Sequence, residues 1–244
     1  MRISSNSWRE YISKLSIINK KASGLMSDWM EENPGADTRA LINYAYAIST
    51  KYGEAAAELA CQMYDATAAL SKVKVPPAEP AATATYDETA TAVIGAGKQG
   101  RTLVPMAVER LVKLAGQDTT LQNAARDGAE WAWVPSGDTC AFCITLASNG
   151  WQRASKRTRE GQHAKHIHAN CDCAFVIRFR TFDDLEGYDP ESYYARYKNA
   201  DGNSPTDKIN SMRRINYAKN RNKIRAQKRA AYARRKEMIN EAQD

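Results

Sequence analysis

The sequence predicts a mostly α protein. A long N-terminal helical hairpin and further helices come first, then a small α+β zinc knuckle and a basic C-terminal helix or tail. Three observations predict this. Apolar residues recur at helical spacing through most of residues 8–133. Four of the five cysteines fall within residues 140–173. Residues 208–236 carry 12 Lys or Arg and no Asp or Glu.

At 244 residues the chain has room for one large or two small domains. Hydrophobic residues make up 43%, enough for a core, although much of this is alanine, which buries little surface. The formal net charge is +7, but it is unevenly spread. Outside residues 208–236 the chain holds 23 basic and 28 acidic residues, a net −5. Such a split predicts a neutral-to-acidic body with a basic tail for a polyanion. No run of 18 apolar residues is present, so no transmembrane helix is expected. The first seven residues, MRISSNS, lack the apolar core of a signal peptide.

The predicted units are a helical hairpin over 1–72, an extended linker over 73–85 and a helical segment over 86–134. A zinc-knuckle module over 135–182, a short helix and linker over 183–203, and a basic helix or tail over 204–244 follow. Trp8, Tyr11, Leu15, Ala22, Met26 and Trp29 make one stripe of a first helix, with Ser7 as its N-cap and Asn33-Pro34-Gly35 as its stop. Asp37 or Thr38 caps a second helix through Leu41, Ile48, Leu59 and Leu70, bent near Gly53. Pro76, Pro77 and Pro80 keep the following linker extended. A helix from Tyr86 stops near Gly95 and Gly97; these two and Gly100 spell GxGxxG, but no strand precedes them and they read as a turn. A further helix through Leu103 and Leu114 ends at Gly116, and another runs from Asp118 through Leu121 and Trp133. Residues 140–148 read as a short helix and 174–179 as the best strand of the chain. Asp189 caps a short helix with Pro190 at its first position, and Thr206 or Asp207 opens the last one.

Cys140 and Cys143 form a CxxC, and 24 residues later His168, Cys171 and Cys173 form HxxCxC. Two soft-ligand pairs from separate pieces of chain can close a tetrahedron around zinc. Five ligands compete for four places. Cys140, Cys143, His168 and Cys171 are the favoured set, and Cys173 is the alternative for the last place. His163 and His166 lie upstream on a basic stretch. A thioredoxin-type redox pair lacks its preceding strand, and disulfides sit poorly with an odd cysteine count. A full protein ligand set leaves no open position, so the expected Zn2+ is structural rather than catalytic. The metal is expected to replace a hydrophobic core in the knuckle, where zinc contributes roughly 10–16 kcal/mol in model peptides.

The basic run is expected to contact phosphates in a sequence-independent, salt-sensitive way. Its candidate residues are Arg213, Arg214, Lys219, Arg221, Lys223, Arg225, Lys228, Arg229, Arg234 and Arg235, joined by Lys208 and Lys236. Tyr217 and Tyr232 are available to stack on bases.

The run WVPSGDTCAFCITLASNG over 133–150 and the closing HANCDC over 168–173 resemble the phage minor head protein family. These proteins are also called MuF-like or head-morphogenesis proteins, here of the kind found in phages and prophages of Gram-positive bacteria. YGEAAA over 52–57 and GYDP over 187–190 extend the resemblance to about residues 40–198. It implies a non-enzymatic minor capsid protein present in few copies in the virion, at the portal vertex and capsid interior, and in the host cytoplasm during assembly. The implied partners are the portal protein and other head proteins; packaged double-stranded DNA is expected as a partner from the charge of the basic run alone. The basic run lies outside the family motif. The alternative is a zinc-containing nuclease using His163, His166 or His168. It would need a second, hard-metal site, for which only Asp172 offers a nearby carboxylate.

Overall fold

The computed structural model describes residues 2–136, 140–155 and 173–241. Helix α1 (Ser5–Glu32) begins three residues earlier than predicted: Ser4, not Ser7, is the N-cap, and its hydroxyl accepts from the Ser7 N–H. The reason is tertiary. Strand β1 (Arg2–Ile3) pairs in parallel with β5 (Asp184–Leu185) and fixes where the chain enters the helix. The Glu186 carboxylate then accepts from the Ser5 N–H at 2.8 Å. Asn33 ends α1 as predicted, and Asp37 caps α2 (Thr38–Leu70). Trp29 stacks on Tyr44 with centroids 4.7 Å apart, closing the hairpin.

Helix α2 continues through Gly53. A Cβ there would lie 2.9 Å from Thr83 Cγ2, so this glycine lets the linker pass close over the helix. Residues 73–85 form an extended strap, as predicted. The side chains of Asp65, Asn123 and Thr119 accept from its Ala78, Glu79 and Ala81 N–H groups. Helix α3 (Tyr86–Gln99) opens with a capping box of Thr85 and Glu88. It runs through Gly95 and Gly97, where the sequence predicts a stop; only Gly100, at φ +151°, makes the turn.

The main correction concerns residues 104–134. One helix, α4 (Val104–Asp127), replaces the two that were predicted. Gly116 does not end a helix. It lies mid-helix and buried, where a Cβ would sit 3.2 Å from the Ala56 carbonyl oxygen, so α4 and α2 touch backbone to backbone. Gly128, at φ +67°, is the true cap. After it, residues 130–134 are not helical but form strand β2 (Glu130–Val134).

Strand β2 is the centre of a three-stranded antiparallel sheet in the order β3 (Gln152–Arg153), β2, β4 (Ala174–Arg178). Trp131 pairs with Ile177, Ala132 with Val176 and Trp133 with Phe175. The two-residue period of the strands splits them between two cores. Ala132, Val134, Ala174 and Val176 join α1, α2 and α4. Trp131, Trp133, Phe175 and Ile177 join Tyr64, Leu121 and Cys143 on the other face. The described residues on either side of the cysteine cluster therefore pack into a hydrophobic core shared with α2 and α4. Helices α5 (Ala141–Ala147), α6 (Pro190–Lys198) and α7 (Pro205–Glu241) complete the order. Among the described residues no helix is long and apolar enough to cross a membrane.

A clasp at the end of α4 holds the strap. Arg126 donates to the Pro76 and Pro77 carbonyls at 2.9 and 3.0 Å and to both Asp127 oxygens. The Tyr64 hydroxyl donates to Asp127 at 2.8 Å. Burial pushes the Asp127 carboxyl upward, but the hydrogen bonds from Arg126 and Tyr64 outweigh this and hold it below the usual range. A depressed folded pKa contributes stability in full above the unfolded value, near 4, and loses it as pH falls through the lower folded value. Asp127→Asn should cost about 1–3 kcal/mol at pH 7. It should also flatten the loss of stability below about pH 4, as read from urea unfolding between pH 3 and pH 7.

Candidate metal centre and basic helix

Cys140 is the N-cap of α5, with extended backbone, and its Sγ accepts from the Cys143 N–H at 3.4 Å. The two sulfurs lie 3.3 Å apart. Two thiolates on one tetrahedral zinc, each about 2.3 Å from the metal, stand about 3.8 Å apart. A small opening of the pair would reach that separation, and the N–H to sulfur bond is of the kind that orients metal thiolates. Cys140 and Cys143 therefore fit as half of a zinc set. Cys140 is half-buried and Cys143 fully buried beside Trp133 and Phe175.

Cys173 is buried in the same apolar cluster as Cys143, one residue before β4. Its carbonyl and the Phe175 N–H are both held by the Gln117 side chain of α4. Among the described residues, no group of three or more His, Cys, Asp or Glu is placed to hold a metal ion. His163, His166, His168, Cys171 and Asp172 lie outside the described residues. Cys61, the remaining cysteine, is buried in α2. Burial, with Glu58 and Asp65 adding to it, pushes its thiol up to about 11. It stays a protonated core residue.

Helix α5 joins the sheet to the basic helix. Ala141 and Ile144 pack with Ala200 and with Met212 of α7, and Tyr193, Tyr197 and Ile209 close over them. The Tyr188 hydroxyl donates to the Ala147 carbonyl from the opposite end. Ser204 and Asp207 cap the start of α7 reciprocally, the Ser204 N–H donating to Asp207 and the Asp207 N–H to Ser204. Lys208 has a role that sequence reasoning missed. Its ammonium donates to the Tyr197, Lys198 and Ala200 carbonyls at 3.4, 2.9 and 2.8 Å, neutralising the C-terminal end of α6. It is a structural lysine, not one of the phosphate-seeking set. A Lys ten residues past a short helix is the only signal in the sequence, and it does not distinguish Lys208 from its neighbours.

Beyond this root α7 is open. Arg213, Arg214, Lys219, Arg221, Lys223, Arg225, Lys228 and Arg229 are all exposed. Arg234 and Arg235 lie within the same helix. Ile209 and Met212 serve only the root, whereas Ile215, Tyr217 and Tyr232 are 59%, 50% and 72% exposed. The helix spans about 55 Å at 1.5 Å per residue. Arg221, Arg225 and Arg229 repeat every four residues, as do Lys219 and Lys223. Each such like-charge pair destabilises a helix by about 0.2–0.5 kcal/mol, so a bound polyanion would strengthen it.

Lys208→Met keeps the stem of the side chain and removes the three carbonyl contacts. It should raise amide hydrogen exchange at least about tenfold at 197–212, matching the loss of about 1.5–3 kcal/mol of charged hydrogen bonding. Exchange in α1 and α2 should not change.

Compared with known proteins, residues 2–200 match the family model described as VG15 protein. The match takes in the helical body, the sheet, the CxxC helix and α6, and it ends before α7. No curated protein matches the chain, and no solved structure does. The matched span covers most of the 244 residues, and the chain belongs to the VG15 protein family, a viral family.

Proposed function

We propose that the chain is a phage minor capsid, or head-morphogenesis, protein associated with the portal and the inside of the head. In this reading it is a structural protein, not an enzyme. Zn2+ held by Cys140, Cys143, His168 and Cys171, with Cys173 as the alternative fourth ligand, staples the segment that leads into β4. The basic helix contacts packaged double-stranded DNA. The observation that carries the reading is the seat of α7: a long helix, with 12 Lys or Arg and no Asp or Glu over residues 208–236, is rooted on the very helix that presents the CxxC pair. A charge-bearing arm fixed to a stapled module suits a protein that holds DNA without acting on it. Membership of a viral family supports the virion setting, and the resemblance to minor head proteins narrows it. Four protein ligands leave zinc no open position, which supports the structural role.

Purified protein should contain about one zinc per chain by elemental analysis. Cys140→Ser should lose the metal and release α7, seen as faster hydrogen exchange in residues 205–212. The sheet should persist in this variant, because Trp131, Trp133 and Phe175 pack against Tyr64 of α2 and Leu121 of α4. No zinc in protein purified under reducing, chelator-free conditions would sink the knuckle.

Duplex DNA binding should weaken with salt along a log–log slope of about −0.9 per phosphate neutralised. Neutralising Arg221, Arg225 and Lys228 together should flatten that slope by about 2–3. An unchanged slope would remove α7 from the DNA reading. Plasmid cutting with Mg2+ that is lost on His166→Ala would replace the structural role with a nuclease.

A further inference from the structure

The exposed surface of α7 is not uniform. At 100° per residue, Arg214, Tyr217, Arg221, Arg225, Lys228 and Tyr232 fall within about 60° of a single line along the helix. All six are exposed. Asn216, Asn220 and Ile224 are half-buried, and their line is turned about 120° away. The two tyrosines with the most exposed rings of the helix therefore stand among cations, on one face. They are 15 residues, or about 22 Å, apart along the axis.

We propose that this face binds single-stranded nucleic acid, the arginines and Lys228 holding phosphates while Tyr217 and Tyr232 stack on two separate bases. The proposal rests on the reading of α7 as a nucleic-acid helix: its cations serve a duplex through charge alone, and the two rings add a preference for unpaired strands. A duplex keeps its base faces inside the stack and leaves a tyrosine only edges and backbone. Unpaired bases present free π-faces, and every base has one, so stacking adds affinity without sequence preference. A solvated helix that needed charge alone would gain nothing from two half-to-mostly exposed aromatic rings. Covering them with bases removes that apolar surface from water while the neighbouring cations neutralise the strand.

The test uses the full chain and fluorescence anisotropy with three probes: a 20-nucleotide oligo-dT, a 20-base-pair duplex and heparin. The Tyr217→Ala/Tyr232→Ala double variant should bind oligo-dT about tenfold or more weakly. Its binding to duplex and heparin should change less than about twofold. The Tyr217→Phe/Tyr232→Phe variant, which keeps both rings, should bind oligo-dT as the parent does. Helicity by circular dichroism separates lost contact from a melted α7. Equal weakening on duplex and oligo-dT would overturn the single-strand assignment in favour of a duplex face. No weakening on any probe would make the tyrosines bystanders and leave the basic helix standing. If Arg221→Glu/Arg225→Glu also changed nothing on any probe, the nucleic-acid reading beneath the proposal would fall with it. Salt-sensitive self-association in sedimentation, abolished by that charge reversal and indifferent to oligo-dT, would instead give the face to a second copy.

Discussion

Helix α4 is buried along nearly its whole length, yet it carries many polar side chains, and each must find a partner inside the protein. That constraint organises the rest. Glu109 and Lys113 pair with each other at 2.7 Å, both almost fully buried. Thr119 and Asn123 hold the strap, and Gln117 holds the start of strand β4. A buried charge or amide without its partner costs far more than a surface one, so these bonds admit few alternative arrangements of the neighbouring elements. The glycine contact between α4 and Ala56 then sets how closely α2 can approach.

The sheet passes this rigidity outward. Strands β2 and β4 each face different cores on alternate residues, so neither can slip by one position without exchanging its large side chains for alanine or valine. Helix α5 rests on one face of this sheet through Cys143 and Ala147 and presents Ala141 and Ile144 to α7. A metal proposed at Cys140 and Cys143 would act at the junction between a well-packed body and an exposed arm. Its effect would be local: to hold the root of α7 and the segment that leads into β4.

Charge is segregated as sharply as hydrophobicity. Residues 208–236 carry only basic charge, while the remainder of the chain is net acidic. Lys208 marks the boundary. It is the first lysine of the basic run, yet its charge serves three carbonyls of the preceding helix. The arm thus begins with a cation used for anchoring and continues with cations facing solvent.

Local chemistry made much of this legible in advance. Helical periodicity, the Asn-Pro-Gly stop, the Asp37 and Asp189 caps, the proline strap and the β-branched run at 174–178 each act over a few residues, and each appears where the sequence places it. The CxxC pair was legible as well, because three-residue spacing at a helix start brings two sulfurs together by itself. What failed was whatever depends on a distant neighbour. Gly116 reads as a helix end, but it serves the close passage of Ala56. Trp133 continues the four-residue spacing of Leu121, Ala125 and Ala129, and so reads as helical until β4 pairs beside it and Phe175 packs edge-on against it and Trp131. Ser4 rather than Ser7 caps α1 because strand pairing with residues 184–185 sets the entry of the chain. Sequence alone determined the elements whose hydrogen bonds close within a few residues. Tertiary structure decided the rest, since a glycine or an aromatic pair has no intrinsic preference strong enough to outweigh the burial offered by a partner far along the chain.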